Sequence, residues 1–146
     1  MKLELQIIPC PTSTDPRSSM SAWVGGSTAM SPPMEGLRIV QFTPPGSGTS
    51  VTFGQGLTKA APGSAEGELV VSDIEAAYDE LVGRGIEVSD IWHGLPFPVE
   101  ARQPGPDPER TSYKSFLYFT DPDGNTWLVQ EVTTRLWSVP RPVGRR

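Results

Sequence analysis

Two apolar runs divided by one tight turn place the strongest limit on what this chain can fold into. Phe116-Leu117-Tyr118-Phe119 and Trp127-Leu128-Val129 flank Asp121-Pro122-Asp123-Gly124-Asn125. These are turn residues for distinct reasons: Pro presets φ, Gly and Asn tolerate positive φ, and Asp accepts from the turn's own N–H groups. The runs are too short for helices and lack polar–apolar alternation. They therefore predict neighbouring strands covered on both faces. Upstream, Ile74, Ala77, Tyr78, Leu81 and Val82 recur at helical spacing and form one apolar stripe. Ser72 and Asp73 are N-capping residues, and Glu75 lies near the positive end of that helix. Gly83 or Gly85 can take the left-handed terminating position. A strand at Leu69-Val70-Val71 precedes the helix and a short strand at Ile86-Glu87-Val88 follows it. A proline-rich loop then runs from His93 to Ser112.

The N-terminal part is less regular. Leu3, Gln6, Ile7 and Ile8 predict a strand that stops at Pro9 and Pro11. Leu37 to Phe42 and Ser50 to Phe53 predict two more. Between Cys10 and Glu35 the chain is rich in Ser, Thr, Pro and Gly and shows no apolar period, so neither helix nor strand is expected there. Fifteen glycines and sixteen prolines among 146 residues favour short strands and many turns over a helical bundle. A net charge of -5 argues against a nucleic-acid binder and against an anionic membrane surface. One cysteine, Cys10, excludes an internal disulfide; one histidine, His93, excludes a two-histidine metal site within one chain. No run approaches a membrane span, and Met1-Lys2-Leu3-Glu4 is no signal peptide, so a cytoplasmic location is expected.

Three motifs carry a resemblance. Val71-Ser72-Asp73-Ile74-Glu75-Ala76-Ala77, Gly83-Arg84-Gly85-Ile86-Glu87-Val88 and Phe119-Thr120-Asp121-Pro122-Asp123-Gly124-Asn125-Thr126-Trp127 together resemble the second half of a vicinal-oxygen-chelate protein. That superfamily contains glyoxalases, bleomycin-resistance proteins and extradiol dioxygenases. The resemblance implies an α+β fold of paired βαβββ modules, completed as a homodimer around a concavity. It implies a single domain over residues 1–138, with a first module at 1–60, a second at 66–133, and a basic tail at 139–146. The first module is expected to be incomplete, degenerate at 10–35. Two readings of that stretch stay open: a divergent loop, or a shifted reading frame restored near Gly36. Under the second, the codons of Trp23 to Met30 would also spell Gly-Trp-Arg-Leu-Asp-Arg-Asp, a phrase of the kind expected at the missing strand.

Metal-using members hold a divalent ion by side chains from four strands, and such chemistry needs about three ligands plus open positions. The resemblance puts the second-module opening position on Glu66, or Glu68 if the register slips. The first-strand position falls near Leu5, between Glu4 and Gln6. The final-strand position is Leu128, where the metal enzymes have Glu, and the fourth-strand position lies within Ser50 to Thr52. One carboxylate among four positions does not hold an ion, so no metal cofactor is expected and Glu66 is the remaining candidate. Trp92, His93, Phe116, Tyr118 and Trp127 are the candidate pocket residues, since aromatic side chains suit a flat organic ligand. His93 could also act as an acid or base near neutral pH. Glu131 could face the cup or away from it, and the loop from Pro96 to Arg110 could be a lid or a passive connection. The expected partner is a small aromatic or amphipathic molecule. A metal-dependent lyase or dioxygenase is the alternative, and a chain damaged in its first module is a third reading.

Overall fold

Nine strands, one α-helix and one 3-10 turn account for the regular structure of the described residues, 5–9, 27–30, 38–95 and 98–135 of the computed structural model. Strands β1 (Leu5–Pro9), β2 (Ser27–Met30), β3 (Arg38–Thr43) and β4 (Ser50–Gln55) form one sheet in the order β1-β4-β3-β2. Strand β5 (Glu66–Val71), helix α1 (Ile74–Gly83) and strands β6 (Trp92–His93), β7 (Gln103–Pro104), β8 (Ser115–Thr120) and β9 (Thr126–Glu131) follow. Their sheet runs β5-β9-β8-β6-β7. In each sheet the opening strand lies parallel to the last one, β1 beside β4 and β5 beside β9, and every other pairing is antiparallel. The same connection scheme thus occurs twice, as paired modules require, with β7 added at the second sheet's edge.

Several expectations need correction. Strand β2 stands inside the stretch for which no strand is expected, and it pairs with β3 from Ser27↔Thr43 to Met30↔Val40. The remainder of 10–35, with Cys10 and the place of a first-module helix, lies outside the described residues, as does the tail from 136 onward. The strand expected at Ile86-Glu87-Val88 reduces to one bridge, Val88↔Phe119. Pairing moves instead to Trp92 and His93, where the proline-rich loop returns as β7. Helix α1 buries Ile74 and Leu81, whereas Val82 at the margin of the stripe faces solvent. Asp73 is its N-cap, accepting from the Glu75 and Ala76 N–H groups, which holds its carboxyl below the usual range. Gly85, at φ +79°, makes the left-handed turn after the helix.

Alternation along the strands sorts side chains onto two faces. Leu69, Leu117, Phe119, Trp127 and Val129 join Ile74 and Leu81 of α1, and the cluster extends to Ile8, Phe42, Val51 and Phe53 of the first sheet. Trp127 sets two local details. Its ring lies flat against β5, so a Cβ at position 67 would stand 2.4 Å from a ring carbon, and only glycine fits. Its Nε1–H donates to Asp121, whose carboxylate also accepts from the Asn125 N–H at 2.9 Å. The Asn125 side-chain oxygen in turn accepts from the Ala65 N–H, tying the turn to the start of β5.

Glu131, with no exposed surface, closes the same face. Its carboxylate accepts from the Ile74 N–H at 3.0 Å and from Arg110 Nε at 3.0 and 3.1 Å. Arg110 also reaches Glu75 of α1 and its N-cap Asp73; Glu131 first, then Glu75 and Asp73, hold its guanidinium charged well above the usual range. Sequence left the direction of Glu131 open; it points into the core, away from the open face. Arg110 adopts φ +52° and Tyr113 φ +70°, left-handed values costing about 1–3 kcal/mol each in non-glycine residues. The Tyr113 N–H donates to the Glu131 carbonyl at 2.8 Å, so the strained loop is held at both ends by one residue.

Two substitutions check this packing by denaturant unfolding. Gly67→Ala forces the Trp127 ring to shift and is expected to lower stability by about 1–3 kcal/mol. Arg110→Met leaves the buried Glu131 carboxylate without its cation and is expected to cost about 3 kcal/mol. That is the low end of the range for a broken buried pair, because Arg110 itself is a third exposed and solvent screens it.

Candidate functional site

The second sheet's other face carries the alternate residues of the same strands. Register places Glu66 beside Thr126, Glu68 beside Leu128 and Val70 beside Gln130 between β5 and β9. It places Tyr118 beside Leu128, and Phe116 beside Gln130, between β9 and β8. Trp92 of β6 pairs with Phe116, and the two rings stack with centroids 4.4 Å apart. The Arg102 guanidinium, brought over by the 3-10 turn Val99–Ala101 and β7, sits 4.1 Å from the Trp92 ring centroid. Such a cation over an indole face is held by the ring quadrupole. Beside this stack opens a cavity of about 490 Å³ lined by Glu66, Glu68, Arg102, Tyr118, Thr126 and Leu128. A second cavity of about 320 Å³ adjoins it across Glu68 and reaches Val70, Tyr113, Gln130 and Arg135.

The candidate pocket residues divide between the two faces. Trp92, Phe116 and Tyr118 share the open face; Trp92 and Phe116 are buried by each other and by Arg102, while Tyr118 is 43% exposed. Trp127 does not belong with them: it is 2% exposed and lies under α1. His93 alternates with Trp92 along β6 and pairs with Ser115, so it turns to the opposite side, where its Nδ1–H donates to the Gly105 carbonyl at 2.9 Å. The expectation that β8 and β9 are covered on both faces holds for the helix side alone, because the other side lines the cavity. The residue that sequence reasoning missed is Arg102. The signal for it is faint, since its place over Trp92 depends on a hairpin of two-residue strands.

The metal positions can be weighed by their chemistry. Glu66 does lie on the open face, and Leu128, at the final-strand position, lines the same cavity with an alkyl chain. Near the other expected positions stand Gln6, Ser50, Val51 and Thr52, of which Thr52 is buried with its hydroxyl unpaired. Among the described residues, no three His, Cys, Asp or Glu side chains group so as to hold an ion. Glu4 lies outside the described residues; among those described at these positions, Glu66 is the one carboxylate, fewer than the about three ligands a divalent ion needs. Arg102→Ala is expected to uncover the Trp92 ring, which a red-shifted emission and faster acrylamide quenching would register.

No family model and no curated protein matches the sequence. Solved structures do. TnmS3, an antibiotic binding protein from Streptomyces sp. CB03234, superposes with a TM-score of 0.67 at 22% identity, over 90% of this chain and 96% of that one. A glyoxalase/bleomycin resistance protein from the same organism gives 0.65 at 24% identity, over 89% and 100%. A glyoxylase/bleomycin resistance protein/dioxygenase domain from Frankia sp. EAN1pec gives 0.62 at 10% identity, over 90% and 98%. None of the described helices is long and apolar enough to cross a membrane. With its twice-repeated strand order and these neighbours, the chain has the vicinal-oxygen-chelate fold of the glyoxalase, bleomycin-resistance and dioxygenase structures.

Proposed function

We propose that the open face of the second sheet binds a flat, partly apolar small molecule by shape and ring contact, without a metal ion. The cavity beside the Trp92–Phe116 stack carries this reading. At about 490 Å³ it falls in the size range of small-molecule sites, roughly 300–1,000 Å³. Tyr118 and Leu128 give it apolar surface, and Arg102, Glu66 and Glu68 supply a few polar groups at its rim. An alkyl chain at Leu128 removes the carboxylate that a catalytic ion would need. The likeness in fold to an antibiotic binding protein agrees with a natural product of similar shape as ligand. A cytoplasmic homodimer belongs to the same reading: Ile7, Val70 and Tyr118 are large apolar residues left exposed, as surfaces awaiting a second copy are.

Titration with acridine, a flat three-ring probe, tests the proposal. Saturable quenching of tryptophan emission at one equivalent per chain is expected, unchanged by a chelator. Tyr118→Ala is expected to weaken it about tenfold, and light scattering to report the mass of two chains. Absence of saturation overturns the binding reading. So does an ion held at one equivalent per chain and lost in Glu66→Ala, a result that favours the metal-dependent lyase or dioxygenase.

A further inference from the structure

We infer that the two adjoining cavities form one bipartite site, whose ligand is a flat body carrying a hydroxylated ring of the sugar kind through a single linking atom. This inference rests on the small-molecule reading above and deepens it. Strand alternation continues the open face past the first cavity. On β5 the residues of this face are Glu66, Glu68 and Val70, and on β9 they are Thr126, Leu128 and Gln130, paired in that order. Glu68 lines both cavities, so the two meet beside it. Residues two apart on a strand stand about 7 Å from one another. Gln130 is one such step from Leu128, close to the distance from the middle of a two-ring body to a ring joined to it through one atom.

The second cavity differs from the first in what it offers. At about 320 Å³ it lies at the small end of the range for ligand sites, with room for one ring rather than a long chain. Its polar lining mixes both kinds of hydrogen-bonding group. The exposed Glu68 carboxylate takes part in no ion pair or hydrogen bond among the described residues, and the Arg135 guanidinium likewise has no partner there. Gln130, half-buried, donates one side-chain N–H to the Tyr113 carbonyl at 3.3 Å, which leaves its amide oxygen and second N–H. A carboxylate accepts, a guanidinium donates and an amide does both. A hydroxyl also does both through one atom, so several hydroxyls on one ring can meet all three side chains. A single carboxylate or ammonium on the ligand would match one of the two charged groups and oppose the other. An apolar ring would displace their water and return no hydrogen bond.

Three coumarins resolve the matter by calorimetric titration: one carrying glucose through an oxygen, one carrying cyclohexyl through the same oxygen, and the methyl ether. The glucoside is expected to bind about tenfold more tightly than either comparator, the effect of one or two added hydrogen bonds. The double variant Gln130→Leu with Arg135→Met should reduce that preference to about twofold or less. Tyr118→Ala should weaken all three alike, because it touches the body they share. Far-ultraviolet dichroism confirms that the variants fold, and the comparison of the three probes on the unaltered protein stands without them. Equal affinity for glucoside and methyl ether overturns the sugar subsite, as does a cyclohexyl ether that matches the glucoside or a preference that survives the double variant. In each of these cases the small-molecule reading stands. Absence of saturable binding by every probe overturns the small-molecule reading, and this inference with it.

Discussion

A buried carboxylate holds this half of the molecule together. Glu131 ends β9 with no exposed surface, and its oxygens meet the first N–H of α1, the Arg110 guanidinium and the Ser115 hydroxyl. Helix, last strand and strained loop therefore converge on one negative charge. Taking a carboxylate out of water costs several kcal/mol unless cation and hydrogen bonds compensate. The arrangement tolerates little displacement of any member. Its effect on function is indirect: with α1 fixed against one face of the sheet, the other face is left open at a defined curvature and register.

The strand period then decides what each face contains. Trp127, Val129 and Glu131 go under the helix, so Thr126, Leu128 and Gln130 must go to the open side. The same division sends Phe116 and Tyr118 to the open face, Tyr118 to the cavity and Phe116 under the Trp92 ring, and Leu117 and Phe119 to the core. A one-residue slip would exchange the two sets completely. Two anchors oppose that slip. The Asp121–Asn125 turn is capped by its own side chains, and Trp127 packs on Gly67, where no larger residue fits.

A shared fold sets where chemistry can occur without setting which chemistry occurs. Here, among the described residues at the positions where metal-using members hold an ion, Glu66 is the carboxylate and Leu128 and Thr52 stand at two of the others. Glu66 and Glu68 stand on β5, and Arg102 lies over Trp92 of β6 on the other side of β9 and β8.

Much of the second module was legible in the sequence. The Asp121–Asn125 turn, the apolar stripe of α1 with its Asp73 cap, and the paired runs at 116–119 and 127–129 each rest on local chemistry, and each appears at its expected place. The first module was legible only at its strands β1, β3 and β4. Strand β2 escaped because Ser27-Thr28-Ala29-Met30 has no apolar alternation, and its pairing with β3 comes from partners 10 to 16 residues further along the chain. Among the candidate residues, Phe116 and Tyr118 follow as aromatic members of an expected strand, whereas the strand at Trp92 was expected as loop. The exclusion of Trp127 and His93 does not follow, since adjacent residues on a strand differ only in the side to which they point.

By itself the sequence determined the turns, the helix and most of the strand-forming runs, because each depends on residues close in the chain. The tertiary structure alone decided which face each aromatic occupies, that Glu131 is buried against Arg110, and that Arg102 lies over Trp92. Those outcomes depend on register between strands and on hairpins that close over long separations, where no local preference discriminates one side of a sheet from the other.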